Sequence, residues 1–275
     1  YLDETKDNPD EGLIKTYFVD LDNMLGGIPK GDFVIIGARP SMGKSAFALQ
    51  WAINAARKGY RTCFFSLEMS EANIADRLSS LCINIDSLAI RRRLFKEDDV
   101  VQAMRAASEL YNMPLKIYLQ QGITVMDLYT VCSRLKRREG LDMVIIDYLG
   151  RLADTPKRRE QTRREVVAEQ SRMLKTMAVE LDIVVVALSQ LNRAAEYMKE
   201  KRPGLHNLRE CGDLEQDADE VIFIHRPDYY DPKDRPGVTE FIIAKHRNGP
   251  VGIVELRFNK RLTRFECISR LKECI

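Results

Sequence analysis

The run Gly37-Ala38-Arg39-Pro40-Ser41-Met42-Gly43-Lys44-Ser45 has the residue types that hold a phosphate chain. It is read as a phosphate-binding loop, with Gly37 and Gly43 as its glycines. Glycines let the backbone bend until several N–H groups face one anion, and a helix starting there adds its positive dipole end. Lys44 is expected to reach the β- and γ-phosphates and the Ser45 hydroxyl to hold Mg²⁺. Three further polar residues each follow an apolar run: Glu68 after Thr62–Leu67, Asp147 after Met143–Ile146, and Gln190 after Ile183–Leu188. Asp147 suits the shell of the metal, Glu68 suits a base that takes a proton from water, and Gln190 suits a γ-phosphate sensor. Each has a plainer reading as a turn cap, a helix-start acid or a loop glutamine.

These groups need a scaffold that gathers them. Phe33-Val34-Ile35-Ile36 before the loop reads as a buried strand, and the alanine-rich stretch after it reads as a helix. Strands at Arg61–Leu67, Leu115–Leu119, Met143–Asp147 and Ile183–Leu188 alternate with helical patterns, one capped by Thr124 and one spanning about 162–181. Further strands are expected near 219–225, 239–245, 251–258 and 262–266. Continuous apolar strands alternating with helices predict an α/β fold, its sheet mainly parallel and covered on both faces. Ligands bind such sheets beyond the carboxyl ends of the strands, where Glu68, Asp147, Gln190 and the loop would meet.

The 275 residues carry a net charge of +2 and a hydrophobic share of 45%, enough for a core, and the charge offers no global pull on nucleic acid. No apolar run reaches membrane-spanning length, so no membrane partner is expected. Cys63, Cys82, Cys132, Cys211, Cys267 and Cys274 never form C-x-x-C, which argues against a zinc site and favours a reducing cytoplasm. Residues 1–16 are polar and start without Met; they are expected to be a linker from a preceding domain, with the catalytic domain over 17–275. A second cluster, Lys245-His246-Arg247-Asn248-Gly249-Pro250, is expected at a β-hairpin tip, where it could offer a cation to a neighbouring copy or merely be a solvated turn. Lys157-Arg158-Arg159 with Arg163-Arg164 forms a basic run that could funnel DNA or only begin a helix.

Six blocks taken together resemble the DnaB-type replicative helicases. They are Ile36–Ser45, Phe65–Ser70, Val144–Leu149, Leu188–Arg193, Leu208–Asp219 and Lys245–Pro250, in the family's order. The resemblance implies a RecA-like ATPase domain, assembled as a homohexamer around single-stranded DNA, using ATP and Mg²⁺. It implies that Gly37, Ser41, Met42, Gly43, Lys44, Ser45 and Ala46 bind the nucleotide, with Arg77 close by. Ser45 and Asp147 would hold the metal, Glu68 would be the base and Gln190 the sensor. Lys245 and Arg247 would act on the neighbouring copy's ATP. Arg209, Glu210 and Gly212 would grip the DNA backbone, and Lys157, Arg158 and Arg159 lie where the family has a central-channel loop. A helicase loader and primase are the expected partners of a longer protein. Cys211 and His246 stand where the family usually has serine and often glutamine. A recombinase filament or a ring-shaped loader or clock-type ATPase would share the loop and the acids, but not the whole set of blocks.

Overall fold

The computed structural model describes residues 12–83, 85–92, 94, 96–153, 162–191 and 202–268, with the side chains of 87, 91, 163 and 209–213 left out. Its first element, β1 (Leu13–Ile14), pairs antiparallel with β2 (Ile28–Pro29) around helix α1 (Val19–Leu25). Of the linker expected over 1–16, residues 1–11 lie outside the described residues, and the stretch 13–16 is packed on the domain. Ile14 and Thr16 are buried, and the carbonyls of Leu13 and Lys15 accept from Tyr60 Oη at 3.0 Å and Trp51 Nε1 at 2.9 Å. The folded body therefore begins by Leu13. A two-residue strand among polar neighbours leaves no periodic signal in the sequence.

The remaining elements follow the expected alternation. They are β3 (Phe33–Ala38), α2 (Lys44–Arg57), β4 (Thr62–Ser66), α3 (Glu71–Ile83), α4 (Ser87–Arg91), α5 (Glu97–Asn112), β5 (Leu115–Leu119), α6 (Val125–Arg138), β6 (Met143–Asp147), α7 (Arg163–Leu181) and β7 (Val184–Gln190). A 3₁₀ turn (Leu205–Cys211) then leads into α8 (Gly212–Asp217), followed by β8 (Glu220–His225), α9 (Pro227–Tyr230), β9 (Val238–His246), β10 (Gly252–Asn259) and β11 (Arg264–Cys267). The sheet order is β11-β10-β9-β8-β3-β7-β6-β4-β5. Neighbours from β8 to β5 run parallel, because a helical crossover returns the chain to the same edge. The ladders joining β8, β9, β10 and β11 are antiparallel, because their connections are too short to cross over.

Alternate residues of each central strand face opposite layers, which explains runs apolar at every position. Val34, Ile36, Phe64 and Ile145 join α2 in one core; Phe33, Ile35, Phe65 and Ile146 join α6 and α7 in the other. Helix α2 is buried nearly all round, a position that its alanines allow. Phe47 on α2 packs on Phe241 of β9 and Phe265 of β11, with ring centroids 4.7 and 5.8 Å apart. That aromatic contact holds the β10–β11 hairpin beside the start of α2.

Helices α6 and α7 open as sequence capping rules require. Thr124 and Thr162 accept from the backbone N–H three residues on, and Asp127 and Glu165 reach back to close the box. At the amino edge of the sheet, Asp142 receives Lys30 and Arg61 at 2.8–2.9 Å. Burial opposes ionisation there, but the hydrogen bonds from Arg61 and Lys30 win and hold the carboxyl well below the usual range.

Candidate active site

The parallel register brings four chain-distant residues to one edge. Ala38 at the end of β3 lies opposite Gln190 at the end of β7, and Ser66 opposite Asp147. A cleft of about 450 Å³ opens there, bordered by Arg39, Pro40, Ser41, Gly43, Lys44, Ser45, Ala46, Glu68, Met69, Asn73, Arg77, Gln190, Phe258 and Thr263. Residues expected to bind nucleotide thus meet those expected to do chemistry.

The loop is built by unusual backbone. Ser41 and Gly43 both take positive φ, 66° and 97°. An ordinary residue such as Ser41 sits there at some cost, a strain that recurs at functional loops. A Cβ on Gly43 would lie 2.8 Å from Phe265 Cζ, a ring already pinned by Phe47, Phe241 and Phe258. Gly43→Ala is therefore expected to destabilise the fold by about 2–4 kcal/mol through left-handed strain plus overpacking. Denaturant midpoints check this, and an unshifted midpoint refutes it.

Two of the residues expected to bind nucleotide, Gly37 and Met42, do not border the cleft. Five residues separate Gly37 from Gly43, so the strict octet starts at Ala38, and Gly37 is a strand residue. It does not border the cleft; its missing side chain leaves room for Phe223 Cδ1, 2.7 Å from where a Cβ would be. Met42 is 1% exposed and belongs to the core, so it anchors the loop from beneath. Arg39, also within the loop, donates from Nη1 to the Leu191 carbonyl at 2.6 Å and ties the loop to the end of β7.

Inside the cleft, Lys44 Nζ lies 4.7 Å from the centroid of the Tyr148 ring. Burial pulls its pKa down, while Asp147 and Glu68 oppose the shift. Asp147 is 1% exposed, and burial raises its pKa against the pull of Lys44, the Ser45 hydroxyl and Arg77. Asp147 Oδ2 has no hydrogen-bond partner. A buried, orphaned carboxylate oxygen next to a serine hydroxyl is a hard-oxygen set that fits Mg²⁺. Among the described residues no cluster of three or more His, Cys, Asp or Glu could hold a metal alone, which suits an ion that takes its other ligands from phosphate and water. Glu68 is about half exposed and receives Arg151 Nη2 at 3.5 Å.

Asn73, Met69, Phe258 and Thr263 were not foreseen. Asn73 and Arg77 share a helical face of α3, so Arg77 carried a signal for its neighbour one turn earlier. Phe258 arrives with the β10–β11 hairpin, 215 residues after the loop in sequence, and its ring is backed by the Arg226 guanidinium at 4.5 Å. No local pattern announces that placement.

The cationic block sits elsewhere. Glu220 at the start of β8 pairs with His246, so Lys245 and Arg247 lie at the amino edge of the sheet. Six residues of β3 separate that edge from the loop, about 20 Å at strand rise. The expectation of a hairpin tip holds for Arg247 but is corrected for Lys245, which lies within β9 and donates to the carbonyls of Glu215, Gln216 and Ala218. Arg247 is half exposed and pairs with Asp219 at 3.1 Å. Beside them Glu220 is buried against Asp32 and Asp219, and burial with those two acids pushes its pKa up to about 9. Arg209, Glu210 and Gly212 fall in the 3₁₀ turn and the first residue of α8, their side chains outside the described set. Lys157, Arg158 and Arg159 lie outside the described residues altogether.

A mainly parallel sheet with a glycine loop at its centre, an acid ending the second strand along and a lysine facing that acid define a phosphate-loop nucleotide-binding domain. The particular family follows from comparison: residues 13–267 match the DnaB-like helicase C terminal domain, and the chain belongs to that family. It is 41% identical over 259 residues to the replicative DNA helicase DnaB of Geobacillus stearothermophilus, a match covering 94% of this chain and 57% of that protein. The chain thus spans little more than half the length of this curated relative. Two solved structures superpose with a TM-score of 0.90 at 39% identity, each covering 97% of this chain. One, the ATPase domain of G40P, is covered over 95% of its length; the other, a DnaB-like replicative helicase described with its interactions with primase, over 65%.

Proposed function

We propose that this chain is the ATP-hydrolysing motor of a homohexameric replicative DNA helicase that translocates on single-stranded DNA and unwinds duplex at the fork. The observation that carries the reading is the placement of the cleft and Arg247 at opposite edges of one sheet. A copy cannot bring its own Arg247 to its own cleft, but head-to-tail copies can, and such contacts form a ring when the rotation between copies closes. The curated relative and the two solved structures support the rest.

In this reading Lys44 holds the β- and γ-phosphates, and the loop N–H groups from Ser41 to Ala46 cradle the chain. Ser45 and Asp147 hold Mg²⁺, which when bound neutralises charge on the phosphates. Glu68 accepts the proton of the attacking water, and its half-exposed carboxylate is open to solvent for that purpose. Gln190 and Arg77 flank the γ side, and Phe258 offers a ring face to the base. Arg247, with Lys245, stabilises charge on the neighbour's γ-phosphate as bonds rearrange. The segment at Arg209, Glu210 and Gly212 grips the DNA backbone, and the run at Lys157, Arg158 and Arg159 supplies attraction. A loader and primase are the proposed partners, primase because a close structural relative is described with it. Among the described residues no helix is long and apolar enough to cross a membrane, and we place the motor in the cytoplasm.

Phosphate release measured with and without mixed-sequence single-stranded DNA tests the reading. DNA is expected to raise Mg²⁺-dependent turnover several-fold, and salt to weaken that stimulation steeply. Turnover indifferent to DNA would sink the motor assignment.

A further inference from the structure

Lys245 carries three N–H donors, and three carbonyls at the end of α8 take them: Glu215 O at 2.6 Å, Gln216 O at 3.2 Å and Ala218 O at 2.6 Å. Arg247 joins the same helix end, donating from Nη2 to Gln216 O at 3.2 Å. Its Nη1 pairs with Asp219 Oδ1 at 3.1 Å, and its backbone N–H donates to Asp219 O at 3.0 Å. Asp219 is itself fixed. It is 2% exposed, and its Oδ2 accepts from Phe33 N at 2.8 Å and from Lys175 Nζ. Both cations proposed to reach a neighbour are thus committed, in the single copy, to the carboxyl end of α8 and the acid just beyond it.

The committed partner is a weak element. Helix α8 has six residues, too few to persist without outside support. Its last carbonyls have no partner within the helix, and cationic donors there make the stronger, charge-assisted kind of bond. The helix continues directly from the 3₁₀ turn Leu205–Cys211 that holds Arg209 and Glu210.

We propose that Lys245, Arg247 and Asp219 form an exchange latch between the trans-acting hairpin and the DNA-gripping segment of the same copy. The proposal rests on the motor reading above and adds its regulation. In the closed latch the hairpin cations cap α8 and are withheld from the neighbour's phosphates. Engagement of a neighbour's nucleotide draws them off, and α8 with the 205–211 turn loosens. DNA that repositions that segment frees the same cations. Each event breaks one shared set of contacts, so each promotes the other, as linkage requires. DNA then stimulates hydrolysis without touching the nucleotide, and the copy that responds is the neighbour of the copy that binds ATP.

Hydrogen exchange over residues 212–219 in assembled rings tests the latch. A non-hydrolysable ATP analogue with Mg²⁺ and no DNA is expected to speed amide exchange there about tenfold, as capped carbonyls are released. Unchanged or slower exchange overturns the latch. Asp219→Asn removes the acid that holds Arg247 back. DNA-free turnover is expected to rise several-fold while the DNA-saturated rate stays, a result that structural damage would not produce; an unaltered ratio of the two rates overturns the proposal. If that variant does not assemble, exchange in the unmodified rings decides alone. Rings whose hydrolysis ignores DNA from the outset would defeat the motor reading instead, so the two failures are distinct.

Discussion

Lys44→Ala is expected to stop ATP hydrolysis, with turnover falling by about 10³-fold or more, because in the proposed motor the cation meets the charge that builds on the transferring phosphoryl group. Lys44 lies in the cleft against the Tyr148 ring, and its pKa is drawn down by burial. A cation partly stripped of water gains most from an arriving polyanion, since little solvent remains to screen the pair. The same burial makes the lysine a poor contributor to stability before nucleotide arrives. Alanine at this position removes a desolvated charge but leaves the buried Asp147 without its nearest cation, so the thermal midpoint is expected to fall as well. Asp147 loses one of the groups that keep it ionised, which is expected to raise its pKa further and to weaken the proposed metal site. Phosphate release and Mg²⁺-dependent binding of a fluorescent nucleotide check both effects. Turnover within tenfold of the unmodified protein would remove Lys44 from the chemistry.

The parts of this site that could be read in the sequence are those whose signal is local. A glycine loop between an apolar strand and an alanine-rich helix has one physical use, and Asp147 and Gln190 each end a buried run. Parallel topology then puts strand ends together, so Glu68, Gln190 and the loop share a cleft, with Asp147 buried beside Lys44 and Ser45, without any contact having been guessed. What could not be read depends on packing between distant segments. Phe258 and Thr263 reach the cleft because Phe265 is clamped on Phe47 and Phe241, a contact with no sequence period. Gly37 looked like part of the cradle, yet its glycine is required by the Phe223 ring beneath it. Leu13–Ile14 was hidden because a two-residue strand is too short to alternate. Lys245 looked like a free cation because sequence shows charge but not the carbonyls that collect around it.

Arg247→Ala is expected to leave nucleotide binding intact while lowering turnover of assembled rings by about 10³-fold, the usual worth of a trans-acting arginine. The separation is the reason. Arg247 lies at the amino edge of the sheet, about 20 Å from its own copy's loop, so its loss cannot disturb the cradle directly. Arg247 is half exposed, and the buried Asp219 it pairs with keeps Lys175 and the Phe33 N–H as partners, so the loss to folding is expected to be small. Reduced activity alone would not show which copy the arginine serves, and mixing shows it. A copy carrying Lys44→Ala keeps its cation but has no working cradle; a copy carrying Arg247→Ala has the reverse defect. Each alone is expected to be inactive. Randomly mixed into common rings, about a quarter of the head-to-tail seams join a sound cradle to a sound cation, and that fraction of hydrolysis is expected to return. A mixture as inactive as its components would mean that the cation acts within its own copy or not at all. Since the sheet itself keeps the two groups apart within one copy, that result would remove the seam between copies as the place where ATP is cleaved.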